Sequence, residues 1–442
     1  MMGKKITFSI HTLGCKVNQY EGERIATELG KFGWKKVDFS ARADIYVVNS
    51  CTVTAVASHK SRQLIRRALR NNPYATVAVT GCYADSDREE IAAIVGVSLI
   101  LGNGEKDELP RLLAEKVGEL RLNEMAEETP IRASHTRSLI KIQAGCNQFC
   151  SYCIVPYVRG GPWSRPEAKI IDDVNRLVDA GTQEVVLTGI HLGLYGMGQK
   201  TDLGNLLAKL IEIPGLGRIR LSSIELREIT PQIIELASTS GKICNHLHIP
   251  LQSGSNKILS RMNRHYTADE FIRHTDEFKH QIANLAITTD IIVGFPGETD
   301  NDFEDSVRLA EKVGFSKLHV FKFSPRKGTP AADFDQQVSR EVKDKRSAAL
   351  ISIGEKLSSQ FAAGYIGKEL TVLIERRQGG YVSGVSDNYI RVLCEGPDEV
   401  VGKLITVKII GQEETILYGR IKSGYPVTQC CSVVGADPVS AR

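Results

Sequence analysis

A chain of 442 residues is long enough for two to four domains, each able to bury a core. Its content, 42% hydrophobic and 24% charged, is that of an ordinary globular protein, and no apolar run approaches the roughly 20 residues that span a bilayer. A net charge of +4 permits nucleic acid as a partner without demanding it. No signal-peptide core follows Met1-Met-Gly-Lys-Lys before polar residues resume, so no membrane association and a cytoplasmic location are expected. Thiols stay reduced there, and clustered cysteines point to metal rather than to disulfides.

Residues 1–117 read as repeated strand–helix units, the pattern of a doubly wound α/β domain with a parallel sheet. Strands are expected at Lys5–Ile10, Ile45–Asn49 and Thr76–Thr80, with helices at Glu21–Lys31, Ser58–Arg70, Arg88–Val95 and Lys106–Val117. Each strand runs into one cysteine, namely Cys15, Cys51 and Cys82. In open α/β sheets the carboxyl ends of parallel strands lie along one edge, where ligands bind. Three cysteines distant in sequence would therefore meet at one rim and could hold a metal cluster with one corner open. A lone buried cysteine is usually a small hydrophobe; three at equivalent strand ends are not. The helix after Cys51 carries Lys60, Arg62, Arg66, Arg67 and Arg70 without an acid among them. Arg62, Arg66 and Arg70 share one face, which suits either a phosphate contact or a solvated surface.

Gly118 to Arg137 is polar and acid-rich and reads as a linker, 118–137. From 138 to 365 the βα rhythm returns, with strands expected at Leu139–Gln143, Glu184–Thr188, Arg220–Ser223, Asn245–Ile249, Ala286–Val293 and Lys317–Phe323. Six such units suit a partial (βα)6 barrel, with its chemistry at the carboxyl ends of the strands. Directly after the first strand come Cys146, Cys150 and Cys153, spaced C-x3-C-x2-C. Three thiolates on so tight a loop can hold three corners of a [4Fe-4S] cluster and leave the fourth iron open. Zinc is the alternative, but it wants four N/S ligands, and the nearest histidine, His135, lies before the strand. Glycine-rich and polar loops sit at the other strand ends, at Thr188-Gly-Ile-His191, Ser222-Ser-Ile-Glu225, His248 to Ser255 and Gly294-Phe-Pro-Gly-Glu298.

Residues 366–430 change period to short alternating strands between glycine turns, expected to form a small antiparallel β-barrel of OB-like type. Lys368 to Arg442 holds nine Lys+Arg and nine Asp+Glu, so no net charge argues for nucleic acid there. Cys430 and Cys431 have no partner motif and read as free thiols; 431–442 is a tail.

In this order, the parts resemble the radical S-adenosylmethionine (SAM) methylthiotransferases over almost the whole chain. The motifs that carry the resemblance are Leu13-Gly-Cys15-Lys-Val-Asn18, Asn49-Ser-Cys51-Thr-Val-Thr54, Thr80-Gly-Cys82-Tyr, Cys146-x3-Cys150-x2-Cys153, Pro250-Leu-Gln252-Ser-Gly-Ser and Val293-Gly-Phe-Pro-Gly-Glu298. His11-Thr-Leu-Gly-Cys15 and Asn245-His-Leu-His-Ile-Pro250 look most like the MtaB class, which adds methylthio to threonylcarbamoyladenosine beside the tRNA anticodon. The resemblance implies an amino-terminal domain with an auxiliary [4Fe-4S] cluster on Cys15, Cys51 and Cys82. It implies a radical SAM barrel whose [4Fe-4S] cluster on Cys146, Cys150 and Cys153 cleaves SAM, and a carboxy-terminal TRAM domain. Relatives modify isopentenyladenosine or a ribosomal-protein aspartate instead, and an RNA-binding protein with purely structural metal sites is the rival of another class. Expected SAM contacts are Tyr152, Gly189, Glu225, Gln252 and Val293. Expected RNA contacts are Arg62, Arg66, Arg159, Lys322 and Arg326, against the anticodon stem-loop of a tRNA. A reducing partner such as flavodoxin or ferredoxin is implied as electron donor.

Overall fold

The computed structural model describes residues 5–118 and 136–422. Most of the expected linker, His135, Cys430, Cys431 and the tail lie outside the described residues. The chain divides into two compact units, 1–361 and 362–442. No helix among the described residues is long and apolar enough to cross a membrane.

The first unit opens with a parallel sheet of five strands: β1 (Thr7–Thr12), β2 (Lys35–Lys36), β3 (Ile45–Ser50), β4 (Thr76–Gly81) and β5 (Val97–Leu101), in the order β2-β1-β3-β4-β5. The central strand β3 is buried throughout, as a parallel strand covered on both faces must be. Its alternate residues serve opposite layers. Ile45 and Val47 pack with Ile25 and Leu29 of the helix Lys16–Lys31, whereas Tyr46 and Val48 pack with Ile65 and Ala68 of the helix Ala55–Asn71. The two edge strands β2 and β5 were not expected: β2 is two exposed lysines, and β5, Val97-Ser-Leu-Ile-Leu101, is short and follows directly on the helical run expected at Arg88–Val95.

Six further parallel strands follow in chain order: β6 (Arg137–Lys141), then, after the short antiparallel pair β7 (Gln143–Ala144) and β8 (Trp163–Ser164), β9 (Glu184–Thr188), β10 (Arg218–Leu221), β11 (His246–His248), β12 (Ala286–Val293) and β13 (Lys317–Lys322). They form two three-stranded sheets, β10-β9-β6 and β11-β12-β13, joined by parallel bridges at Ile219–Ile243 and Ser223–His248. This is the expected six-stranded partial barrel. Outward residues such as Val185, Leu187, Ile219 and Ile291 share one core with the helices Glu167–Asp179, Leu203–Ile211 and Ala268–Gln281. The intervening residues of β9 and β10 face the other way. There Glu184 accepts from Arg218 Nε at 2.5 Å and Arg220 Nε at 2.8 Å, all three side chains being almost or fully buried.

The second unit is a closed barrel of β14 (Glu369–Gln378), β15 (Tyr381–Ser386), β16 (Arg391–Glu395), β17 (Leu404–Glu413) and β18 (Ile416–Ile421), in the order β14-β15-β16-β18-β17. Four of its pairs are antiparallel and β16–β18 is parallel. The expectation of a purely antiparallel barrel is thereby refined: strand directions cannot alternate around a ring of five.

Burial pushes the Glu184 carboxyl up, but Arg220 and Arg218 outweigh it and hold the group below the usual carboxylate range. Its contribution is therefore complete above the ordinary carboxylate pKa and is lost as pH falls toward the lowered folded value. Glu184→Gln is expected to cost about 3–5 kcal/mol, as breaking a buried ion pair does, measured as a fall in the urea midpoint at pH 7. An unchanged midpoint would show that the two arginines need no carboxylate.

Candidate active site

The strands β1, β3 and β4 lie side by side, so their carboxyl ends share one rim. Cys15 follows β1 as the residue before the helix Lys16–Lys31, Cys51 follows β3 directly, and Cys82 opens the short helix after β4. Gly14 has φ +97°, and a Cβ there would stand 2.9 Å from Cys51 Sγ, so only glycine lets the Cys15 turn pass so close. Burial pushes the Cys51 thiol up to about 11, and the nearby Cys82 and Cys15 push the same way. Such a group ligates as thiolate only when a cation compensates it, which a metal does.

The second thiol set sits on the loop after β7. Gly145, at φ +74°, brings the chain against Gly161, where an added Cβ would meet Gly161 O at 1.9 Å. Cys146 N then donates to Gly160 O at 3.0 Å, and Gln148 N to Cys146 Sγ at 3.4 Å. Phe149 takes the left-handed conformation, and the loop is held by Asn263 Nδ2, which donates to Phe149 O at 3.1 Å and Gln148 O at 3.3 Å. Burial pushes the Cys153 thiol up to about 12. All three thiols line one cavity together with Tyr152, His191, Glu225, Gln252 and Asp290. Among the described residues no three Cys, His, Asp or Glu groups are arranged around a single metal ion. A cluster, whose ligands bind different irons, asks for sulfurs spread more widely than one ion does. Three converging thiols, a backbone N–H already on sulfur and a glycine cradle fit such a group.

Of the expected cofactor contacts, Tyr152, Glu225 and Gln252 line this cavity. Gly189 lies at its edge beside Ile190, close against Gln143, where a Cβ would meet Gln143 Oε1 at 3.0 Å. Val293 is fully buried in the barrel's outer core, so its side chain does not reach the cavity. Sequence reasoning missed Arg264, which is 5% exposed. It grips Glu225 with both Nη atoms, donates to Pro250 O at 3.2 Å and lies 3.6 Å from Cys150 Sγ. It also missed His191 as a site residue: Nδ1 stands 3.2 Å from Cys146 Sγ and Nε2 2.5 Å from Glu228 Oε1. Burial opposes charging of that ring, but Cys146 and Glu228 outweigh it and raise it to about 10. Arg264 belongs to no periodic or glycine-marked stretch, whereas His191 closes the Thr188-Gly-Ile-His191 loop, whose place at a strand end was its only signal.

The short helix Val155–Arg159, just past Cys153, joins the two thiol sets. Ile154 and Val158 pack against Cys82, and Arg159 Nε donates to Cys82 Sγ at 3.2 Å. The Arg159 guanidinium also bonds both oxygens of Glu21, at 3.0 and 3.1 Å, and Asn18 Oδ1 at 3.2 Å. Glu21 is gripped in addition by Lys106 Nζ at 2.6 Å and Lys141 Nζ at 2.9 Å. Arg159 has 3% side-chain exposure, which corrects its expected place at an RNA surface: its donors are spent inside the protein. Arg326 is likewise turned inward, onto Thr52 Oγ1 at 2.5 Å and Ser58 Oγ at 3.1 Å. Arg62 is bound to Tyr83 OH and Glu90, and Lys322 is exposed but paired with Asp344 at 2.7 Å. Arg66 lines an open groove of about 710 Å³ with Lys60, Arg67, Arg70, His11 and Leu13.

Comparison with known proteins follows the same division of the chain. A family model described as the radical SAM superfamily matches residues 140–310, and one described as uncharacterized protein family UPF0004 matches residues 7–102. The chain is 40% identical to the threonylcarbamoyladenosine tRNA methylthiotransferase MtaB of Bacillus subtilis, over 96% of this chain and 95% of that protein. It is 38% identical to the protein of that name from Chlamydia pneumoniae, over 94% and 98%. A tRNA-2-methylthio-N(6)-dimethylallyladenosine synthase from Pelotomaculum thermopropionicum is 35% identical over 95% and 98%. Among solved structures, the radical S-adenosylmethionine methyltransferase TsrM from Kitasatospora setae shares the fold, with a TM-score of 0.55 at 15% identity over 88% of this chain and 82% of that chain.

Two glycines separate the steric demand of the Cys146 loop from its backbone demand. Gly145→Ala adds a clash to a left-handed residue, whereas Gly160→Ala, at φ +69° with open space around it, adds strain alone. After anaerobic loading with iron and sulfide, Gly145→Ala is expected to retain clearly less iron per chain than Gly160→Ala; equal retention would overturn this account of the loop.

Proposed function

The chain belongs to the tRNA methylthiotransferases of the radical SAM superfamily, and from that premise we propose that it converts N6-threonylcarbamoyladenosine at position 37 of tRNA to its 2-methylthio derivative. The observation that carries this reading is the tie between the two thiol sets: the segment that opens with Cys153 closes with Arg159 on Cys82 Sγ. Methylthio transfer needs a source of sulfur and a means of removing hydrogen beside one carbon. An adenine C2–H offers no proton worth abstracting and no leaving group, so acid–base and nucleophilic routes fail. When bound, two [4Fe-4S] clusters and SAM supply the one-electron and sulfur chemistry that such a carbon requires.

In this reading Cys146, Cys150 and Cys153 hold the cluster of the radical SAM barrel at three corners, and Cys15, Cys51 and Cys82 hold the auxiliary one. Tyr152, Glu225, Gln252 and the backbone at Gly189 form the polar wall against which SAM lies. Arg264 fixes the Glu225 carboxylate there. His191, held between Cys146 and Glu228, orients the first thiol. For the tRNA backbone we propose the groove along the helix Ala55–Asn71, which Lys60, Arg66, Arg67 and Arg70 line and where Asp38, near Arg67, is the acid that acts on it. A flavodoxin- or ferredoxin-like donor supplies electrons, and the enzyme works with its tRNA in the cytoplasm.

Given SAM, a reductant and an anticodon stem-loop carrying N6-threonylcarbamoyladenosine, the reconstituted protein is expected to yield the methylthio product. Cys150→Ala should abolish SAM cleavage. Cys51→Ala should abolish methylthio transfer yet keep some reductive SAM cleavage, and normal transfer by that variant would overturn the second-cluster assignment. Iron of about eight per chain should fall to about four when Cys146, Cys150 and Cys153 are all replaced by Ala, as two separate four-iron sites require.

For the groove, the double variant Arg66→Ala/Arg70→Ala should weaken tRNA binding evenly across sequences. It should also flatten the slope of log affinity against log salt by about 1 per lost contact, read by fluorescence anisotropy. An unaltered slope would move the backbone contact elsewhere.

A further inference from the structure

We propose that a polar patch on the inner wall of the barrel, formed by His248, Asp290 and His319, reads the N6 substituent of the target adenosine and selects one ending in a carboxylate over an apolar one. The inference rests on the methylthiotransferase reading above and names what decides its substrate.

The strand register builds the patch. His248 of β11 pairs with Thr288 of β12, and Asp290 of β12 pairs with His319 of β13. On β12 Ile287 and Ile291 go to the outer core, so Thr288 and Asp290 turn to the opposite face. On β13 Leu318 and Val320 pack against that same core and leave His319 on the inner side. His248 Nε2 stands 3.3 Å from Asp290 Oδ2, its Nδ1 lies 2.9 Å from Thr288 Oγ1, and its ring meets that of His319 at 5.7 Å. His248 and Asp290 keep 13% and 27% side-chain exposure, so they open onto space, unlike the buried His246 beside them.

Place matters as much as composition. Asp290 also lines the cavity of Cys146, Cys150 and Cys153. Lys16, the residue after Cys15, acts electrostatically on both His319 and His246. The patch thus opens beside the cavity of Cys146, Cys150 and Cys153, where a base receiving a methylthio group must lie. Nothing in the holding of either thiol set uses His248 or His319.

The chemistry of the patch is donor-rich. The His319 imidazole and the Lys16 ammonium suit a carboxylate, while His248, its ring nitrogens on Thr288 and Asp290, holds the Asp290 carboxylate, which accepts from an N–H or O–H of a carbamoyl or hydroxyl-bearing chain. An apolar prenyl group would strip water from these groups and return no hydrogen bond. Sites built to hydrogen-bond a substrate reject analogues without the partner by about 10⁴–10⁵-fold at best.

The test compares kcat/KM for two anticodon stem-loops, one with N6-threonylcarbamoyladenosine and one with N6-isopentenyladenosine, in wild type and variants. The ratio of the two cancels any general loss of folded or loaded enzyme. Wild type is expected to favour the carboxylate-bearing RNA by about 10²-fold or more. His248→Leu/His319→Leu should lower that ratio at least tenfold, while His319→Gln, which keeps a donor, should retain most of it. A ratio that stays fixed in the Leu variant, or a wild type that favours the isopentenyl RNA, overturns the inference and leaves methylthio transfer standing. Wild type that modifies neither RNA overturns the parent reading, and this inference with it.

Discussion

A single buried carboxylate holds the first unit together where its chemistry lies. Glu21, 6% exposed, comes from the amino-terminal helix and is gripped by Lys106 of the same layer and by Lys141 and Arg159 of the barrel. Burial raises the carboxyl's pKa, but three cations outweigh it and drive it far below the usual range. Desolvating these charges is unfavourable unless each finds its partners, and Asn18 and Asn103 supply the remaining bonds. The network ties β6 and the helix after Cys153 to the rim of β1, β3 and β4. It makes the relative position of six thiols a property of one packed interior.

The two thiol sets are built by different means. One arises from topology, since adjacent parallel strands end on a common edge. The other arises from a single loop bent by Gly145 and Phe149 and pinned by Asn263. Both have thiols whose pKa burial raises, and both have a guanidinium close to sulfur, Arg159 at Cys82 and Arg264 at Cys150. Hydrogen bonds to sulfur and local charge are the levers by which a protein tunes a cluster. The pairing of each set with a buried arginine gives each its own electrostatic setting within one fold.

Much of this architecture is legible along the chain. The helix Glu167–Asp179 and the strands β9 and β12 stand at the residues where periodicity puts them. The three amino-terminal strands end on their cysteines for the reason that topology supplies. Edge strand β2 is two lysines with no apolar signature, and β5 is a short apolar run directly after a helical stretch, which local pattern does not separate from it. The parallel β16–β18 pair follows from an odd ring, which no local pattern announces.

What the sequence alone determined is the set of six cysteines, the strand ends that carry them and the order of the βα units. Those depend on spacing, period 2 and short-range glycine geometry, all local in the chain. Only the tertiary structure decided which charged residues belong to the surface. Arg159 and Arg326 look like exposed cations in sequence, yet their partners, Glu21 and Thr52, lie 138 and 274 residues away. The same holds for Arg264, which meets Glu225 from 39 residues off. A charge buried against a distant partner is set by packing and desolvation, and those exist only once the chain has folded.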